Sequence, residues 1–118
     1  MAKSLLIIIS SAPYGGSDAA WNAIRLAVTA RENGSQTRIF LINAGVDAAR
    51  NGLEPPKGYF NLAAMLAEEA AAGAEIRYCK TCIDRCGIGT GEMIESVRPG
   101  SMQILYDWMM VSDKVVTF

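Results

Sequence analysis

Reactive side chains concentrate in one stretch, Tyr78-Cys79-Lys80-Thr81-Cys82-Ile83-Asp84-Arg85-Cys86-Gly87, which contains all three cysteines of the chain. A thiol attacks as its thiolate, and its ordinary pKa of about 8.5 falls when cations or unpaired backbone N–H groups lie close by. Lys80 and Arg85 are the neighbouring cations, so Cys79 is the candidate nucleophile and those two the candidate stabilisers of its anion. Cys79 and Cys82 form a C-x-x-C pair, the spacing at which two thiols on one turn close a small disulfide ring. Cys86 adds a third thiol able to resolve an oxidised partner. Three thiolates also suit zinc or an iron–sulfur cluster, but such sites want a fourth protein ligand, and Asp84 is a poor one. No metal and no cofactor is expected. The plainer reading makes cysteine a small buried hydrophobe; three of them between positions 79 and 86 argue against it.

A second candidate is the turn Pro13-Tyr14-Gly15-Gly16-Ser17, where a strand signal gives way to a helix start. Backbone N–H groups at such a turn can hold an anion such as a phosphate or a persulfide. The segment lacks the glycine spacings of dinucleotide and P-loop sites, and a glycine supplying φ > 0 explains it more simply. Tyr14, Gly15 and Gly16 stand as candidate substrate-binding groups with Lys80 and Cys86, and Tyr59 joins Tyr14 as a candidate pocket wall. Glu68 and Glu69 are adjacent, so on a helix they diverge by about 100° and cannot share one substrate. They read as a solvated face.

Composition removes whole classes of function. The chain has no histidine, which excludes Ser-His-Asp triads and histidine-based metal sites. Its formal net charge is -1, with no run of Lys or Arg to neutralise a row of phosphates, so direct nucleic-acid contact is disfavoured. Leu5 to Ile9 is too short for a signal-peptide core of ~7 to 15 residues, and no membrane association is expected. An odd number of crowded cysteines suits a reducing compartment, which places the protein in the cytoplasm. With 118 residues, 51% hydrophobic and only 19% charged, one domain over 1–118 is expected, with some apolar surface left for another subunit.

The elements that position these groups follow from periodicity. Residues 4–10 (SLLIIIS) form a β-branched run without polar alternation, the mark of a strand covered on both faces. Ser17 then caps a helix over 18–33 that turns Trp21, Ile24 and Val28 inward and stops at Gly34. Residues 37–42 repeat the strand signal, and the connection over 43–58 is long enough to suggest a job. A helix from Asn61 to Gly73 carries Leu62, Met65 and Leu66 on one face, followed by a strand over 75–79 that Cys79 closes. Beyond the cysteine loop, 91–97 stays ambiguous, Ser101 caps a helix over 101–111, and 114–118 is a terminal strand. The helix over 101–111 has almost no polar face, so subunit contact is the economical explanation. Alternating strands and helices imply right-handed crossovers, a mostly parallel sheet, and functional groups at the carboxyl ends of the strands, where Cys79 lies.

Taken together, Ala12-Pro13-Tyr14-Gly15, Gly58-Tyr59, Cys79-Lys80-Thr81-Cys82 with Gly87-Ile88, and Ser112-Asp113-Lys114-Val115 resemble DsrE/DsrF-like proteins, and within them the YchN-like branch. The resemblance runs in order along almost the whole chain. It implies an α/β fold, a flavodoxin-like three-layer sandwich with a mostly parallel five-stranded sheet, assembled into a hexamer. It also implies sulfur handling, with a cysteine carrying a persulfide between donor and acceptor proteins. On this chain that cysteine is Cys79, and Cys82 matches the second thiol of the branch. Relatives have Arg immediately before the glycine, whereas here Cys86 holds that place and Arg85 stands one position earlier. Three readings remain open: a sulfur carrier, a thiol–disulfide redox protein using the C-x-x-C pair, and a non-catalytic oligomeric binding module.

Overall fold

Five strands, of which the first is the most apolar, build the sheet that carries the cysteines. A computed structural model describes residues 3–118, with strands β1 (Ser4–Ile9), β2 (Gln36–Leu41), β3 (Glu75–Cys79), β4 (Arg98–Gly100) and β5 (Lys114–Thr117). Helices α1 (Ala19–Glu32), α2 (Leu62–Ala71), α3 (Lys80–Arg85) and α4 (Met102–Val111) lie between them, with a 3-10 segment over Asn43–Ala49 and a short one over Thr90–Glu92. The strand order is β4-β3-β2-β1-β5, and every neighbouring pair is parallel. The three steps from β1 to β4 run in one direction and the last returns, so right-handed crossovers place α4 opposite α1 and α2. Phe40 reaches that second face and meets the Trp108 ring edge-on, with centroids 6.2 Å apart. The expected α/β sandwich is the one found.

The interior position of β1, between β2 and β5, explains why its sequence lacks alternation. Leu6, Ile7, Ile8 and Ile9 are all buried, because helices cover both faces of β1. On the α1 side the buried stripe is Ala20, Ala23, Ile24 and Ala27, and these small residues let the helix lie close to the sheet. Trp21 and Val28, expected to face inward, are only half-buried. Trp21 stacks instead on Phe60, 5.3 Å between centroids, with the Arg25 guanidinium over its other face.

Several local expectations need correction. The cysteine loop is a helix, α3, and the segment after the ambiguous 91–97 stretch pairs with β3 as strand β4. Asp18, not Ser17, occupies the cap position of α1; the Ser17 hydroxyl accepts the Ala19 N–H at 3.1 Å from one residue earlier. Glu69 is not solvated. It is buried, and Arg31 of α1 donates to both its oxygens, at 3.2 and 3.0 Å. This bidentate pair ties α1 to α2, leaving Glu68 on the exposed side. Ser4 and Asp113 clasp the start of β1 to the approach to β5: the Ser4 N–H donates to the Asp113 carboxylate at 2.8 Å, and the Asp113 N–H donates to the Ser4 hydroxyl at 3.0 Å. These bonds hold the Asp113 carboxyl below its ordinary pKa.

Candidate functional site

β3 ends at Cys79, and the backbone turns there directly into α3, so Cys79 is at once the last strand residue and the cap of the next helix. Its sulfur accepts the Cys82 N–H at 3.2 Å, the place a serine or aspartate oxygen fills in an ordinary cap. α3 stops after Arg85 because Gly87 adopts φ +72, with the Gly87 N–H returning to Asp84 O and the Ile88 N–H to Ile83 O. Buried Ile83 and Ile88 anchor this ending in the core. The helix therefore presents its cysteines at fixed places: Cys79 at the cap, Cys82 in the first turn, Cys86 at the far end.

The first two are brought together and the third is not. Cys79 is 4% exposed, Cys82 half-buried and Cys86 exposed, all as free thiols. From cap to cap α3 rises about 10 Å, which separates Cys86 from the pair. Among the described residues, no group of three or more His, Cys, Asp or Glu side chains is placed to hold a metal ion.

Electrostatics at Cys79 run against the expectation of an activated thiolate. Burial pushes its thiol above the ordinary value, and hydrogen bonding with the Cys82 side chain pushes the same way; N–H bonds from Cys82 and Thr81 pull it partly back. Neither expected cation takes part in that balance. Lys80 is turned along the helix to Asp84, Nζ to Oδ1 2.6 Å, the usual i, i+4 pairing of a helix surface. Arg85 sits in the last turn, about 9 Å along the axis from the cap.

The turn at Tyr14, Gly15 and Gly16 forms a separate feature. The Tyr14 hydroxyl donates to Phe60 O and accepts the Leu62 N–H, both at 2.9 Å, pinning the 55–61 connection to the end of β1. Gly16, at φ +87, makes the tight turn. Tyr14 and Tyr59, with Pro13, Trp21 and Phe60, line an open cavity of about 200 Å³, and Asp18 lines it too. A carboxylate in that wall works against an anion there, and no cysteine reaches it.

One contributor to the cysteine pair was missed. Asn43, immediately after β2 in the long connection, has φ 54, and its N–H points at the Cys82 sulfur, 3.4 Å away. Asparagine is the non-glycine residue most at ease in that left-handed region, which is the one signal the sequence offered. Cys82 thus sits between two strand ends, touching Cys79 on one side and the β2 exit on the other.

Comparison with known proteins covers the chain end to end. The family model described as DsrE/DsrF-like matches residues 3–118. Protein YchN of Escherichia coli (strain K12) is 37% identical over 118 residues, spanning 98% of this chain and 99% of the relative. A Methanopyrus kandleri protein, MK0008, is 34% identical across 97% of this chain and 93% of its own. The crystal structure of ychN protein from E. coli superposes with a TM-score of 0.85 over the full length of both chains. MTH1491 from Methanobacterium thermoautotrophicum shares the fold at TM-score 0.76, with 12% identity and coverage of 98% and 99%.

Proposed function

The chain belongs to the DsrE/DsrF-like family, and from that premise we propose that it is a sulfur carrier whose cargo rides on Cys79 as a persulfide. Family membership supports a sulfur-relay role in general terms. The observation that carries the finer reading is the paired thiols at the carboxyl end of β3, the sheet end at which open α/β folds gather their chemistry. A donor protein persulfide gives its outer sulfur to the chain; the donor leaves as a thiolate, and no net oxidation occurs. An acceptor cysteine later removes that sulfur by the same exchange. Burial of Cys79, a residue only 4% exposed, then has a use, since it shields sulfur carried there from solvent reductants on its way between partners.

The carrier works in the cytoplasm, where free thiols persist; among the described residues no helix is long and apolar enough to cross a membrane. It acts as a homo-oligomer, a hexamer by resemblance, and as a single domain over 1–118, with sulfur donor and acceptor proteins as partners and no direct nucleic-acid contact. Exposed apolar side chains on α4, Met102, Tyr106, Met109, Met110 and Val111, support self-association. A second reading, dithiol redox chemistry between Cys79 and Cys82, is favoured by the same neighbouring pair, in which the Cys82 N–H donates to the Cys79 sulfur, and it predicts a stable disulfide in place of a persulfide.

The test is to expose reduced protein to glutathione persulfide, desalt it and weigh it intact. A gain of one sulfur that maps to Cys79, and that the Cys79→Ser variant does not retain, is the expected result. Equal retention by Cys79→Ser, or a Cys79–Cys82 disulfide without added sulfur, removes the reading.

A further inference from the structure

The thiol that carries the cargo and the thiol that a partner can reach are different residues. Cys79 is buried, while Cys82 is half-buried one helical turn further on, in contact with it. We propose that Cys82 is the receiving thiol, taking sulfur from the donor and handing it inward to Cys79. This rests on the sulfur-carrier reading above.

The geometry favours this order of events over direct loading. A bulky donor needs its persulfide in line with the attacking sulfur, which a side chain 4% exposed cannot offer without local opening. Cys82 offers its sulfur at the surface, and the Asn43 N–H aimed at that sulfur from 3.4 Å receives the negative charge it bears as nucleophile and as leaving group. The second contact keeps the inward step local: the Cys82 N–H donates to the Cys79 sulfur at 3.2 Å, so the two cysteines are held as neighbours on one helical turn. Cys86 is more exposed, but it stands about 10 Å away at the other end of α3 and cannot pass sulfur to Cys79 directly.

Both steps balance. In the first, Cys82 thiolate attacks the outer sulfur of the donor persulfide; the donor S–S bond breaks, its electron pair leaves on the donor sulfur, and Cys82–S–SH forms. In the second, the Cys79 sulfur attacks the outer sulfur of Cys82–S–SH; that S–S bond breaks, the Cys82 sulfur takes back the electron pair and the proton given up by Cys79, and Cys79–S–SH remains. No oxidant or reductant is consumed. The competing attack of Cys82 on the inner sulfur of a Cys79 persulfide gives a disulfide and free hydrosulfide, a different product.

The experiment uses the full chain with Cys86→Ser, which removes the remote thiol from the map. Brief iodoacetamide pulses at neutral pH should modify Cys82 at least tenfold faster than Cys79. With limiting glutathione persulfide, adding Cys82→Ser should slow sulfur arrival at Cys79 at least tenfold, while in Cys79→Ser the sulfur that reaches Cys82 should stay open to solvent and be lost before desalting is complete. Faster alkylation of Cys79, parental loading of Cys79 in Cys82→Ser, or hydrosulfide release with a Cys79–Cys82 disulfide each overturns the order. The alkylation map needs no change at Cys82, so it decides even if that variant folds poorly. A parent that takes up no sulfur overturns the carrier reading and this inference together; uptake at parental rate without Cys82 overturns the inference alone.

Discussion

Glu69 and Arg31 form an ion pair whose two halves do not see the same solvent: the carboxylate side chain is 3% exposed and the guanidinium 39%. Cutting the pair is therefore asymmetric. Arg31→Met strands a buried carboxylate and should cost about 3 kcal/mol in urea unfolding. Glu69→Gln frees a cation that water can still reach and keeps a hydrogen-bonding side chain, so about 1 kcal/mol is expected. The reverse ranking of the two variants would mean that the carboxylate is not held as described. The same asymmetry of exposure separates the thiols of Cys79 and Cys82, and it is invisible in the string Cys79-Lys80-Thr81-Cys82. Sequence located the pair, and Lys80 and Arg85 suggested activation by charge. Lys80 is instead engaged with Asp84, and the burial that shifts Cys79 depends on residues distant in the chain.

At the scale of elements, the 3-10 segment Asn43–Ala49 does most to shape the site, because it carries Asn43 to Cys82. Gly45 lets it do so. A Cβ there would overlap the Ile9 carbonyl, lying 2.7 Å from its carbon, so the segment lies directly against the exit of β1. Gly45→Ala should destabilise the protein by about 1 to 3 kcal/mol through this overlap and loosen the Asn43 contact. An unchanged thermal midpoint for that variant would show that the close approach does not exist in solution. How legible each element was in the sequence follows from how local its cause is. β1 announces itself because a strand covered on both faces is apolar, β2 and β3 through their apolar ends Ile39-Phe40-Leu41 and Tyr78-Cys79, and Ser101 caps α4 as read; Asn61, expected only as the start of its helix, caps α2, each side chain accepting an N–H from three residues on. β4 is Arg98-Pro99-Gly100, a trio without strand propensity that extends only because β3 lies beside it. α3 is six residues long, too short for a periodic pattern, though its Lys80 and Asp84 spacing was a helical cue. The Asn43 to Cys82 contact bridges 39 positions, beyond the reach of any local pattern.

For the whole molecule, the sheet is protected unequally. α1 and α2 share one face, whereas α4 stands alone on the other and buries none of its own residues. Met110→Glu, at a side chain 65% exposed, should lower the mass found by light scattering while circular dichroism stays unchanged. A wild-type protein that is monomeric at micromolar concentration, or a variant of unaltered mass, ends the proposal of self-association through α4. The clasp between Ser4 and Asp113 has another consequence, one that belongs to synthesis. β1 is the middle of the finished sheet's β2-β1-β5 half, yet the residues that cover its second edge are made 109 positions later. At ribosomal speeds of roughly 5 to 20 residues per second, that edge waits on the order of 5 to 20 s for its partner. The β1-α1-β2 unit is free to form on the nascent chain, but with a bare row of amides and carbonyls along Leu5 to Ile8. Emergence of Lys114–Thr117 from the ribosome is what ends that exposure, so β5 guards the open edge of β1.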